Sequence, residues 1–223
     1  MIPWEHLDSA QIPDGGELRL MRRGTELSIM SGSTELMNSR LSGSEKALAS
    51  LAIQRLAGRR RPRVLIGGLV MGFTLRAALA ELPRDATVVV AELVPAVVAW
   101  ARGPMAGLFD RCLDDPRVTV READVAQVIG EARAGFEAML LDVDNGPGGL
   151  NRAANDGLYS ARGLAAAKHA LTPGGVLAVW SGGRDDGFTR RLRSAGYEAE
   201  EVGVRATGGR RGARHVIWLA TPR

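Results

Sequence analysis

From Arg63 onward the chain alternates between two periods, and that alternation constrains its fold more than any other feature. Short, nearly unbroken apolar runs ("RVLIGG", "ATVVVAEL", "RVTVREAD", "FEAMLLDVD", "GGVLAVWSG") are separated by segments with helical apolar spacing ("MGFTLRAALAEL", "VPAVVAWAR", "VAQVIGEAR", "DGLYSARGLAAAKHAL", "DDGFTRRLRSAG"). A strand that is apolar on both faces must be covered on both faces, and helices cover it when the strands run parallel. The last two strand-like segments, "YEAEEVGVRA" and "HVIWLATPR", have only "TGGRRGA" between them. That is too little for a crossover helix, so they are expected to close the sheet as an antiparallel hairpin.

A parallel sheet ending in a hairpin favours the methyltransferase-type Rossmann fold over the nicotinamide-binding type. The expected fold class is therefore α/β, with a mostly parallel seven-stranded sheet and a C-terminal antiparallel hairpin. Ahead of it, "ELRLMRR" and "TELSIM" read as strands parted by Gly24. Residues 1–42 are expected as a short N-terminal β region and residues 43–223 as the Rossmann-like domain. "SEKALASLAIQRLA" opens that domain as a helix, with Ser44 as its expected cap.

Composition removes several function classes. At 223 residues and 45% hydrophobic, the chain has enough apolar side chains for a core of its own. No apolar run approaches the roughly 20 residues of a membrane-spanning helix. "MIPWEHLDSAQIPDGG" lacks the basic start and apolar middle of a secretory signal, which leads us to expect a cytoplasmic protein. A single cysteine, Cys112, excludes an internal disulfide framework, and with three histidines it offers no metal-ligand cluster. The net charge of +4 arises from arginine runs, "GRRRPR" and "GGRRGAR", without interleaved aromatics. They read as solvated loops and argue against a nucleic-acid partner.

Ligands of open α/β sheets bind beyond the carboxyl ends of the strands, and four strand ends here carry glycine or acid. Gly67, Gly68 and Gly72 follow the first parallel strand, where glycine lets the backbone approach a ligand. Leu69 departs from a dinucleotide fingerprint, and Met71-Gly72-Phe73 is no phosphate loop. Tight strand-to-helix packing explains the glycines equally well. Glu92, about 20 residues past them, is placed to accept the hydroxyls of a ribose. Asp124 suits an adenine amino group or, alternatively, the cap of the helix that follows. Asp142 and Asp144 end the fourth parallel strand, in "LLDVDNGPGG". Acids there can hold a cationic acceptor and take its proton as it attacks, with clustered charge raising one pKa.

At these residues the sequence resembles the spermidine synthase family. The matching pieces are "VLIGG", the "AEL" acid, "DDPRVTVREAD", "FEAMLLDVD" and "LYSARGLAAAKHALTPGGVLAVWSG", which together cover most of the chain. The resemblance implies a methyltransferase-type fold with a small N-terminal β domain and an oligomer, here expected as a homodimer. It also implies decarboxylated adenosylmethionine, S-adenosyl-L-methionine or methylthioadenosine as ligand, with no metal. By the same resemblance Glu92 holds the ribose, Asp124 the adenine, and Asp142 is the catalytic acid, with Asp144 an approximate counterpart of a second one. Glu45, in "SGSEKAL", is what remains of the acceptor-binding element. Tyr159, at the start of a helix, suits either contact with the acceptor or packing.

The departures shape the functional expectation. Where aminopropyl-transferring members carry an aspartate in the glycine turn, this chain has Val70. The short N-terminal region is expected to leave the acceptor channel more open. A turn without that acid removes an objection to a carboxylate-bearing donor. Methyl transfer from S-adenosyl-L-methionine onto a small amine-bearing acceptor is therefore the leading expectation. The alternatives are aminopropyl transfer from decarboxylated adenosylmethionine to a polyamine such as putrescine, and a non-catalytic nucleoside-binding or interaction domain. Trp100, Trp180 and Trp218 are read as core, with Trp180 at the pocket edge, His169 as a dipole partner late in a helix, and Cys112 as a loop residue without a base.

Overall fold

The computed structural model of the protein describes residues 2–13, 15–143, 146–147, 157–209 and 212–223. Four strands, β1 (Glu5–Gln11), β2 (Glu17–Arg23), β3 (Glu26–Ser31) and β4 (Thr34–Asn38), form an antiparallel meander in sequence order. Leu18, Leu20, Leu27 and Ile29 point from this sheet into the main core, and Trp100 Nε1 donates to Asp8 Oδ2 at 2.7 Å, tying β1 down.

The second sheet follows the sequence pattern closely. Helix α1 (Gly43–Gln54) precedes β5 (Arg63–Gly67), α2 (Phe73–Glu81), β6 (Thr87–Glu92) and α3 (Pro95–Arg102). A short α4 (Ala106–Phe109) and a 3₁₀ turn (Cys112–Asp114) lead to β7 (Val118–Glu122), α5 (Val125–Glu131) and β8 (Phe136–Leu141). Helix α6 (Ala161–Ala170), β9 (Leu171–Ser181), α7 (Asp186–Ser194), β10 (Tyr197–Arg205) and β11 (Arg214–Pro222) complete the described elements. The strand order is β10-β11-β9-β8-β5-β6-β7, with β5 to β9 parallel and β11 antiparallel to both its neighbours. The expected hairpin is thus present, its last strand inserted between β10 and β9.

Residues of β5, β8 and β9 alternate strictly between two apolar clusters. Val64, Ile66, Ala138 and Leu140 face the cluster shared with α1, α2, α3 and the N-terminal sheet, whereas Leu65, Met139 and Leu141 face the other, with α5, α6 and α7. This is the period-2 signature of a strand buried on both sides. Trp100 and Trp218 are core, as expected, and Cys112 is buried, its thiol pushed up to about 11 by that burial. Among the described residues no helix is long and apolar enough to cross a membrane.

Two local expectations need correcting. Ser44 does not cap α1: Ser42 occupies that position, and the Ser44 hydroxyl is drawn to side chains instead. Tyr159 does not reach the cleft described below. It is 3% exposed, packed edge-on to Phe188 at 5.5 Å in the apolar cluster on the α6–α7 side. An aromatic ring just before a helix gains more from burial than from solvent, which overrode the polar reading of its hydroxyl.

Candidate functional site

The strand order reverses between β5 and β8, the place where an open sheet leaves a crevice. A cleft of ≈ 350 Å³ lies there, between the C-terminal ends of β5, β6, β7 and β8 and the N-terminal sheet. Ile29, Leu36 and Met37 supply its wall on the N-terminal side, so the short β region does roof the cleft.

Of the three turn glycines, only Gly68 lines the cleft. Its φ of +91° excludes ordinary side chains, and a Cβ would stand 2.3 Å from the Asp142 carbonyl oxygen. Gly67 and Gly72 answer to packing rather than ligand approach: a Cβ would lie 2.9 Å from Val125 Cγ2 on the first and 2.5 Å from the Phe109 ring on the second. Their expected role in binding is therefore corrected to close helix–strand contact. Val70 lines the cleft with φ +42°, a left-handed conformation that is strained for a β-branched residue.

Glu92, at the end of β6, is buried and lines the cleft. Its Oε2 accepts from Leu69 N–H and its Oε1 from Val94 N–H, both at 2.9 Å. Burial pushes its pKa up while these amides oppose the shift. The Val70 and Leu93 amides act on the same carboxylate, so Glu92 sits in a ring of backbone donors at the cleft wall. Asp124 both caps α5, accepting from Ala126 N–H at 2.7 Å through Oδ1, and lines the cleft. The two readings left open by sequence are compatible, because Oδ2 stays available.

Asp142 and Glu45 meet across the cleft from β8 and α1, both buried. Asp142 Oδ2 accepts from the Thr74 hydroxyl at 2.8 Å. Burial first, then the Glu45 charge, push Asp142 up to about 7, and burial likewise raises Glu45. Asp144 lies outside the described residues. Two lining groups were not found by sequence reasoning, Glu35 and His215. Glu35 is satisfied within its sheet by the Ser28 hydroxyl (2.7 Å) and Asn38 Nδ2 (2.9 Å). His215 begins β11, which starts at the edge where the parallel strands end; that topological clue was available in the sequence. Trp180 also lines the cleft, as expected, edge-on to His215 at 4.8 Å.

The charge balance of the lining is one-sided. Glu35, Glu45, Glu92, Asp124 and Asp142 are present, with His215 as the one basic group and no Lys or Arg among the described lining residues. Among the described residues no group of His, Cys, Asp and Glu is arranged to hold a metal ion.

No family model matches the chain. Polyamine aminopropyltransferases of Mycobacterium tuberculosis and Mycobacterium bovis are 35% identical to it over 150 residues, which is 63% of this chain and 27% of theirs. The chain thus spans only a fraction of the length of the curated relatives it matches. Among solved structures, spermidine synthase from Thermotoga maritima superposes with a TM-score of 0.77 at 17% identity, over 98% of this chain and 73% of that one. A spermidine synthase in complex with the transition-state analogue AdoDATO gives 0.76 at 17% identity, over 98% and 72%. A probable spermidine synthase from Corynebacterium glutamicum gives 0.67 at 14% identity, over 97% and 79%. The chain is homologous in sequence to polyamine aminopropyltransferases, and its fold is that of the spermidine synthases, a class I adenosylmethionine-dependent methyltransferase type.

Proposed function

We propose that the protein transfers an aminopropyl group from decarboxylated adenosylmethionine to an amine acceptor of the polyamine class. The observation that carries this reading is the acidic character of the charged groups in the cleft: Glu35, Glu45, Glu92, Asp124 and Asp142 line it, with no Lys or Arg among the described lining residues. Adenosylmethionine brings a carboxylate, which would meet Glu45, Glu92, Asp124 and Asp142 with no arginine or lysine among the described lining residues; Glu35 is offset by Arg40 at 3.6 Å. The decarboxylated donor brings a sulfonium and an ammonium, and a polyamine brings further cations. Val70 removes one acid from the turn, the fact that favoured methyl transfer, but it leaves the field of the cleft negative. The names of the sequence relatives point the same way.

In this reading Glu92 and Asp124, which both line the cleft at the strand ends, hold the nucleoside. The donor supplies a methylene activated by the adjacent sulfonium, whose bond to sulfur breaks as the amine nitrogen bonds to carbon. Asp142 takes a proton from the acceptor's ammonium, freeing the nitrogen lone pair for attack; the new secondary amine retains its own charge. A carboxyl raised to about 7 suits that role, since a base works best with a pKa near the working pH. The apolar wall and the fixed acids provide alignment, the other requirement of an in-line displacement.

The test is side-by-side turnover with decarboxylated and intact adenosylmethionine, each with putrescine and with spermidine, followed by chromatography of the nucleoside product. The expected result is methylthioadenosine with the decarboxylated donor only. Adenosylhomocysteine with the intact donor would replace this reading by methyl transfer. Binding of either donor without product would leave a non-catalytic nucleoside-binding domain.

A further inference from the structure

Glu45 is a buried carboxylate with an acid opposite it, and something must hold it there. Its side-chain partner is the hydroxyl of Ser44, its own neighbour, at 3.0 Å from Oε2. Ser44 is fully buried, and its Oγ lies 2.9 Å from Nδ1 of His215. With Glu45 ionised, the single hydroxyl proton of Ser44 is donated to the carboxylate. The hydroxyl oxygen then accepts from Nδ1–H, which assigns the imidazole tautomer. The imidazole is fixed from its other side by the edge of Trp180, 76° from its plane.

The backbone around this chain is built to bring its ends together. Gly43 N–H donates to the Ala206 carbonyl at 2.8 Å, across from the turn that follows β10. A Cβ on Gly43 would lie 1.9 Å from the Gly208 nitrogen, so the first turn of α1 sits flush on that hairpin turn. Because Ser42 takes the cap position, the Ser44 hydroxyl is free to link α1 to β11.

We propose that His215, acting through Ser44, is a positioning residue that holds the Glu45 carboxylate toward Asp142, so that the two acids form one seat for the primary ammonium group of the acceptor. This rests on the reading of the acceptor as an amine. Asp142 alone offers the acceptor a single carboxyl with one oxygen already engaged by Thr74. Glu45 adds a second, and its orientation depends on a hydrogen bond that originates 171 residues away.

The test is calorimetric titration of the full chain with putrescine and, separately, with methylthioadenosine. His215→Phe keeps an aromatic ring against Trp180 but removes Nδ1–H; Ser44→Ala removes the link itself. Each is expected to weaken putrescine binding about tenfold, the size of one lost charge-assisted hydrogen bond, and the double variant no more than either alone. His215→Asn, whose amide N–H takes the place of Nδ1–H, is expected to return binding to within about threefold of wild type. Methylthioadenosine affinity is expected to stay unchanged in all of them, which also reports that they fold. Unchanged putrescine affinity in His215→Phe and Ser44→Ala overturns the proposal. So does a His215→Asn variant no better than His215→Phe, or a wild type that does not bind putrescine. A wild type that binds putrescine with this pattern but transfers no aminopropyl group removes the proposed reaction and upholds the seat.

Discussion

The cleft holds two pairs of carboxylates in opposite ways. Glu92 and Asp124, at the ends of β6 and β7, accept from backbone N–H groups of the turns they close. Glu45 and Asp142 accept side-chain hydroxyls and face each other in a buried space. The first pair stabilises the fold it belongs to, since it satisfies amides that would otherwise be orphaned. The second works against the fold, because burial and mutual repulsion both penalise its charge. Burial penalises the Glu92 charge as well, but there backbone amides oppose the shift, whereas in the second pair a like charge adds to it.

The contrast can be broken in several places, beginning with the largest effect. Asp142→Asn removes the proposed proton acceptor and is expected to lower turnover about 10²- to 10⁴-fold while methylthioadenosine binding stays intact. Near-normal turnover would make the two pairs functionally alike. Glu92→Ala is expected to act on both binding and stability. It leaves two buried N–H groups, of Leu69 and Val94, without their acceptor, a loss of about 3 kcal/mol by urea unfolding, along with nucleoside affinity. A loss below about 1 kcal/mol would show that the amides find other partners.

Stability against pH sharpens the comparison further. Asp142 is raised to about 7 in the folded protein, while its unfolded value is that of an ordinary carboxyl. Between those values the folded state holds a proton that the unfolded chain has lost, so this group's contribution to stability falls as pH rises and is gone above about 7. Asp142→Asn should therefore melt higher than wild type at about pH 8, with the difference closing toward about pH 5. The opposite slope would mean that Asp142 is stabilised as the anion. The smallest effect is expected at Val70, whose φ of +42° strains the turn. Val70→Gly relieves that strain but loses chain entropy, for a net gain of at most about 1 kcal/mol in thermal unfolding. A marked loss would show that the valine side chain, rather than the turn, is what the cleft wall needs.

Much of this architecture is legible in the sequence because it follows periodicity. Strands β5, β6, β8 and β9 are largely buried and announce themselves as apolar runs, the edge strand β7 is only half-buried, and β11 could pair only antiparallel given the length of the turn before it. The acids at strand ends are legible too, as strand termini fix where Glu92, Asp124 and Asp142 emerge. Strand β1 was not, since most of it is exposed and its alternation is weak. The glycines misled because the demand on them comes from distant partners: Phe109 crowds Gly72 and Val125 crowds Gly67. No local pattern connects Ser44 with His215, and a serine at a helix start reads as a cap until the strand that claims its hydroxyl is in view. The expectation of methyl transfer rested on one residue, Val70, whereas the proposed aminopropyl transfer rests on the charged groups of the described lining taken together.

The insertion of β11 between β9 and β10 has a consequence for how the protein is made. The parallel strands and the nucleoside acids all lie upstream of Arg214, in segments that pair through connections of moderate length. The Ser44–His215 contact waits for β11 and closes a loop of 171 residues, the kind of pairing that comes slowly because its entropy cost is met late. A polypeptide interrupted before β11 can still carry Glu92, Asp124 and Asp142, yet it lacks the histidine that reaches the Ser44 hydroxyl. Completeness of the hairpin is thus written into the Glu45 side of the cleft, and the two sides of the cleft are completed at different times.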